Sequence, residues 1–262
     1  MRVGIAAIGL AAPGLPDWPT AARVLRGEET YVASELAPYA PQLLPANERR
    51  RATPAVRQAF RVAEEAIVGR DAKNLATVFA GSDADMAILH RICAALAEPQ
   101  KLVSPTDFHN SVHNAAAGYW GIAIGATAPS TTLAGYDGSF ALALFEAVLQ
   151  TVVEQRDTLL VVFDVPAPEP LHSARPLACA ASCALWLTAG TDAAEHGALD
   201  IELASGDDTT MSDAALEALR LGNPALRALP LLRHIAQASA GRVLLPNSGG
   251  RSLRVDYRPR GG

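Results

Sequence analysis

The sequence predicts an α/β fold: a mixed, mostly parallel sheet with helices on both faces. Three observations lead there. β-rich apolar runs alternate along the chain with segments of helical apolar spacing. Several of those runs are continuously apolar, as strands covered on both faces are. The 262 residues, 50% of them hydrophobic, suffice to bury a large core without disulfide or metal staples.

Residues 3–9 form the first strand, closed by Pro13 and Gly14. Residues 17–26 carry Trp18, Ala21, Ala22 and Leu25 at helical spacing, with Pro19 in the first turn and Gly27 as the stop. Residues 28–52 are proline-rich and aperiodic, a long surface excursion in which Arg49, Arg50 and Arg51 read as a solvated loop. A helix over 54–68 sets Val56, Phe60, Ala63 and Ile67 on one face. A strand over 76–80 and a helix over 86–96 follow.

Residues 108–124 are Ala-rich and helical in character. Gly118 and Gly121 within them suit close helix packing or a dimer seam. After a strand over 131–134 and a sharp turn at 135–138, residues 139–153 read as a long buried helix. Strands over 158–165 and 179–188 pair across a proline-rich connection. Beyond Gly190 the pattern loosens. A strand over 199–204, helices over 213–221 and 229–238, and a strand pair, 242–245 with 252–257, close the chain, and residues 258–262 fray.

With 22 basic and 27 acidic residues and a net charge of −5, nothing concentrates the positive charge that nucleic acid requires. No apolar run reaches the ~20 residues of a membrane-spanning helix. The opening residues run into Pro13–Asp17 without the long apolar region of a signal peptide, so they read as a mature N-terminal strand. Cys93, Cys179 and Cys183 form no C-x-x-C pair, which points to reduced thiols in a cytoplasm.

Four segments in order carry a resemblance. Arg2-Val3-Gly4-Ile5-Ala6-Ala7-Ile8-Gly9, followed by Trp18 and Leu25-Arg26-Gly27-Glu28, resembles the opening strand and first helix of the β-ketoacyl synthases. Ser111-Val112-His113-Asn114-Ala115-Ala116-Ala117-Gly118 is similar to the helix before their nucleophile. Ala128-Pro129-Ser130 with Gly135-Tyr136-Asp137-Gly138-Ser139 resembles the strand and turn that carry their catalytic cysteine. Arg175-Pro176 and the strand after it resemble the end of their first structural half.

The resemblance implies a thiolase-like fold, which in the whole family comprises two similar halves in five layers around two stacked sheets. Here it implies largely the N-terminal half: a β-ketoacyl synthase N-terminal-like domain over 1–190 and a reduced C-terminal extension over 191–262 packed on the same core.

Where the family's nucleophile is a cysteine, activated at a helix N-terminus, this sequence has Asp137. A slip of one position puts Tyr136 there instead. A carboxylate accepts an acyl chain poorly, because the product is a mixed anhydride. The family's two decarboxylating histidines have no counterpart in a resembling motif; His196 and His234 are the only histidines beyond the first half. The resemblance therefore implies a non-catalytic, chain-length-factor-like subunit without cofactor. Its partners would be a full-length synthase, met through residues 131–134 and 108–124, and an acyl carrier protein, in a fatty-acid or polyketide pathway such as that of aryl polyenes. Two alternatives stay open: a stand-alone acyl-thioester transferase or hydrolase using Asp137 with His109 or His113, and a silent scaffold that binds acyl carrier protein.

Each candidate residue has a plain reading beside the functional one. Asp137 suits a helix N-cap that accepts from the N–H of Ser139 or Phe140, and no companions for acid–base work are identifiable. His109 and His113, four apart, share a face if the helix is continuous and then suit a metal. A polar interface with Asn110, Ser111 and Asn114 is the favoured reading, with no metal. Tyr119-Trp120 and Phe140 with Phe145 suit plain core better than an acyl tunnel. In the chain-length-factor reading, Tyr136 and Phe140 bound the partner's pocket, and Ser139 lies beside them. Cys93 reads as a buried helix residue, and Cys179 and Cys183 as small hydrophobes on one sheet face.

Overall fold

In the computed structural model, which describes residues 1–261 (Ser248 by its backbone alone), one eight-stranded sheet organises the chain. The N-terminal part contains β1 (Arg2–Ala11), α1 (Trp18–Arg26), α2 (Ala46–Arg51), α3 (Pro54–Ala66), β2 (Ala76–Gly81) and α4 (Met86–Ala97). It continues with α5 (Pro105–Asn110), α6 (Ala115–Ile124), β3 (Ser130–Ala134), α7 (Ser139–Glu154), β4 (Thr158–Asp164), α8 (Leu171–Ala174) and β5 (Ala181–Thr188). The remainder adds β6 (Ala198–Ala204), α9 (Ala214–Gly222), α10 (Leu229–Ala236), β7 (Gly241–Pro246) and β8 (Ser252–Arg258).

The strand order is β3-β2-β4-β5-β1-β6-β8-β7. The mixed α/β fold is the one expected, but the sheet is less parallel than expected. Among the described residues only β2 with β3 and β2 with β4 run parallel; the five other pairs are antiparallel. The reason lies in the connections. Helical crossovers α4–α6 and α7 return the chain to the same edge direction, whereas β5 comes back against β4 and β7–β8 is a hairpin. The two stacked sheets of the complete family fold are not formed by the described residues.

Two apolar cores flank the sheet. One lies under α1, α7, α9 and α10, with Leu10, Phe140, Leu144, Leu185 and Leu232 fully buried. The other lies under α3 and α6, where Trp120 meets Phe60 edge-on at 5.4 Å and Phe79 at 6.5 Å. Over β6, β8 and β7 only the first face is covered. There Leu199, Ile201, Leu253 and Val255 point inward, and the alternate residues pair in the open as Arg2–Asp200–Arg258 and Arg242–Asp256–Arg254. Helices on both faces thus hold for five strands, and the outer three show the alternation of a one-sided antiparallel sheet.

Local chemistry explains most boundaries. Asp17 caps α1 through Thr20 N at 2.8 Å, and Gly27 ends it at φ 79°. A bulge at Ala6 keeps Val3 and Ile5 on the same core as Ile8 and Leu10. Glu65 on α3 accepts from Leu10 N (2.9 Å) and Trp18 N (2.6 Å), pinning the β1–α1 connection. Within the excursion, Arg49–Arg51 sit on the short helix α2 and not in a loop; Arg49 bonds the Leu44 carbonyl at 2.9 Å. Cys93 is exposed, because α4 buries only Ile88. Of the tail, Arg258 still belongs to β8 and pairs with Asp200; Gly262 lies outside the described residues.

Candidate functional site

Parallel strands bring their C-terminal ends together, and in an open α/β sheet that edge is where sites form. Here β2 leaves through Ser82 and Asp83, β3 through the turn Gly135–Gly138, and β4 ends on Asp164. The β3–α7 turn is a single 3₁₀ turn, Tyr136–Gly138, with Tyr136 in the left-handed region at φ 52°. A non-glycine residue there costs about 1 kcal/mol or more. Ser139 holds it: its buried hydroxyl accepts from Gly135 N (3.0 Å) and donates to Tyr136 O (2.7 Å), with Gly81 O 3.2 Å away.

Asp137 does not cap α7. The N-cap position is Gly138, without a side-chain bond, because the Asp137 carboxylate is turned onto Arg175 at 2.9 Å. Arg175 comes from the β4–β5 connection, packs its guanidinium 3.6 Å above the Tyr136 ring, and reaches Asp83 at 3.4 Å. One largely buried cation therefore ties together the loops after β2, β3 and β4.

Beneath this knot lies Asp164. One carboxylate oxygen accepts from Ser82 N (2.7 Å) and Ser82 Oγ (2.8 Å); burial nonetheless pushes the carboxyl up to about 7. Asn223, fully buried in the C-terminal part, donates to the Asp164 carbonyl (3.3 Å) and the Cys179 carbonyl (2.9 Å). Residues beyond 190 thus help to position the site. Sequence reasoning did not single out Ser82, Asp83, Asp164 or Asn223. A lone carboxylate at the end of the apolar run 158–165 was the available signal.

The remaining expected residues separate. The segment 108–124 is not one helix: α5 ends at Asn110, Ser111 Oγ donates to Phe108 O (2.8 Å), and α6 starts at Ala115. His109 and His113 therefore do not share a helical face. His109 lies on α5, its ring edge-on to buried Tyr119 at 6.1 Å, while His113 faces a pocket with Asn110 and Asp164. Asn114 is exposed at the start of α6. No group of three or more His, Cys, Asp or Glu side chains among the described residues is arranged to hold a metal.

Phe140 is fully buried in the core against the sheet, whereas Tyr136 is 57% exposed. The α6 glycines make no close packing within this chain: a Cβ on Gly118 meets nothing within 4 Å. β5 starts at Ala181, so Cys179 lies before the strand, half-buried, and does not share a sheet face with buried Cys183; burial pushes the Cys179 thiol up to about 11 and the Cys183 thiol up as well. His196 stacks edge-on to Trp18 at 6.4 Å, and His234 lies 3.2 Å from Ser239 O; each is accounted for by structural contacts.

The parallel β3–β2–β4 unit, with its turn feeding a long buried helix, lies in a fold shared with solved ketosynthase chains. The chain belongs to the beta-ketoacyl synthase N-terminal domain family, whose profile matches residues 23–240. No curated protein sequence matches it. Among solved structures, a chain of the ketosynthase ApeO in complex with its chain length factor ApeC from Xenorhabdus doucetiae superposes with a TM-score of 0.75 at 20% identity. It covers 98% of this chain and 99% of the other. The ishigamide ketosynthase/chain length factor gives 0.73 at 15% identity over 100% of both. The AntDE:AntF complex, a type II polyketide synthase acyl carrier protein with its ketosynthase, gives 0.74 at 12% over 99% of both. Near-complete coverage both ways means that each matched chain is about as long as this one. No helix is long and apolar enough to cross a membrane among the described residues.

Proposed function

We propose that this protein is a non-catalytic β-ketoacyl synthase homologue that acts as a chain-length-factor-like subunit beside a full-length ketosynthase. The pathway would make a fatty-acid or polyketide product, an aryl polyene among the candidates, in the cytoplasm and without a cofactor of its own. The observation that carries this reading is the Asp137–Arg175 pair at the turn before α7. Thioester exchange needs a thiolate at such an apex. A carboxylate engaged by a guanidinium is not free to attack an acyl thioester, which also speaks against the stand-alone transferase or hydrolase.

The need for a partner rests on separate features. β3 is an edge strand, paired on one side by β2. In the crossover from β2 to β3, whose helix α6 packs on β3, Leu89, Leu96, Phe108, Val112 and Ile122 are exposed, large apolar side chains that suit an interface. Gly118 and Gly121 leave α6 open to close approach by a second backbone. Acyl carrier protein thioesters would be handled by the synthase, with Tyr136 as the wall that this subunit presents. Residues 191–262 would serve as the reduced C-terminal extension on the 1–190 core.

Co-expression with a full-length ketosynthase, followed by gel filtration and intact mass, tests the proposal. The expected result is a heterodimer that, given an acyl thioester, carries the acyl group on the synthase alone. A hydroxylamine-labile acyl adduct on this chain in isolation overturns it. Enlarging or trimming Tyr136 shifts product length in this reading and leaves it unchanged if the protein is only a carrier-binding scaffold.

A further inference from the structure

A pocket opens at the ends of β2 and β4, on the α3–α6 side of the sheet. The residues that matter in it are Asp83, Asp85, Asn110, His113 and Asp164, and no lysine or arginine lines it. Asp164 is 6% exposed, and only one of its oxygens is bonded; Oδ2 has no hydrogen-bond partner among the described residues. Asp85 uses Oδ1 to cap α4 through Ile88 N at 3.2 Å, and its buried Oδ2 is likewise unpartnered. Asn110, 2% exposed, spends its amide hydrogens on Thr106 O (3.0 Å) and Arg51 O (3.4 Å), leaving Oδ1 without a partner among the described residues.

What remains unmatched in this pocket is of one kind. The buried oxygens Asp85 Oδ2, Asn110 Oδ1 and, when its carboxyl is ionised, Asp164 Oδ2 lack donors among the described residues. The nearby cation, Arg175, pairs with Asp83 through Nε and with Asp137 through Nη1, keeps a buried unpartnered Nη2, and does not line the pocket. Buried acceptors demand hydrogen-bond donors, and buried carboxylates also demand positive charge. An apolar acyl chain supplies neither.

We propose that this pocket binds a small cationic N–H donor, a primary ammonium or a guanidinium group. The inference is independent of the chain-length-factor reading. Burial pushes the Asp164 carboxyl up and so favours its neutral form; a bound cation would favour the ionised form instead. The same chemistry is available from a free alkylamine or from a lysine or arginine side chain of a partner subunit, since exposed Val112 stands at the pocket's rim.

The test is an NMR titration of the full chain with methylammonium and methylguanidinium chloride, against tetramethylammonium chloride, which has charge but no N–H. The expected result is a saturable shift of the Ser82 amide and the Asn110 side-chain amide with the N–H cations only. Asp164→Asn keeps an oxygen for Ser82 and should weaken binding at least tenfold. Asp85→Ser keeps the helix cap and should weaken it too, and it decides the matter if Asp164→Asn does not fold. Equal responses to all three salts, no saturation, or binding unchanged in the variants overturns the proposal. Repeating the titration with a ketosynthase partner bound separates the sources. A lost response assigns the pocket to a partner side chain, and a retained one to a free amine.

Discussion

The guanidinium of Arg175 closes on Asp137 at 2.9 Å while covering the ring of Tyr136, the residue held at positive φ just before it. Arg175 is 14% exposed and Asp137 49%, so the two ends of the pair are not equivalent. Replacing Arg175 with Met leaves Asp83 and Asp137 facing each other without a counter-charge and should cost about 1–3 kcal/mol. Replacing Asp137 with Asn removes a half-exposed charge and should cost less than about 1 kcal/mol. Urea unfolding of the two variants checks the asymmetry; equal losses would mean that the pair, and not Arg175 as a three-way tie, holds the turn.

A second expectation concerns pH. The Asp164 carboxyl lies at about 7 in the folded protein, above its ordinary 3.8, because burial outweighs the bonds from Ser82 and the pull of Arg175. The folded state then holds a proton that the unfolded state releases. The associated stability is complete below about pH 4 and disappears as the pH rises through about 7, at up to ~1.4 kcal/mol per pH unit. Asp164→Asn should flatten that slope. It should not abolish it, since burial also pushes Glu65 up to about 7 against the bonds from Trp18 N and Leu10 N, over nearly the same window. Denaturation midpoints across this range report both effects; a wild-type slope of opposite sign refutes the assignment.

Gly9 supplies a third. The sequence places it at the end of the first strand, yet β1 runs on to Ala11 and Gly9 is where α3 crosses: a Cβ there would stand 2.3 Å from Val62 O. Helix backbone cannot yield as a flexible side chain does, so Gly9→Ala should cost about 3 kcal/mol. Thermal melting measures it, and a shift of only a degree or two would show that α3 slides freely on the sheet.

That example marks the limit of what the residues disclose one segment at a time. Caps such as Asp17, stops such as Gly27 and the spacing of Phe140, Leu144 and Val148 are local, so α1 and α7 are legible from their own residues. Strand direction is not local: nothing within 179–188 tells that β5 runs against both β4 and β1. The break at 111–114 escaped notice because an Ala-rich stretch looks helical throughout, whereas Ser111 bonds back to Phe108 O and ends the turn. At the site, the place of Asp137 in the turn before the long helix was legible from its own segment. Its partner was not, because Arg175 reaches it only through the fold, and the same holds for Ser82, Asp164 and Asn223.

The last prediction bears on the surface of α4–α6. Phe108 is 72% exposed and Ile122 56%, so neither contributes much to the core of the isolated chain. Substituting either with Glu should change the stability of the isolated protein by less than about 0.5 kcal/mol. In a complex the same carboxylate would be carried into an apolar seam, desolvated and unpaired, and each substitution should weaken association by about 2 kcal/mol or more. Because β3 is an edge strand on which α6 packs, a Glu at Ile122 also charges the approach to the strand. Gel filtration of the co-expressed pair and unfolding of the lone variant separate the two quantities. Unchanged association in both variants would move the interface away from this face, whereas a loss of stability in the lone chain would mean that Phe108 and Ile122 are covered within it.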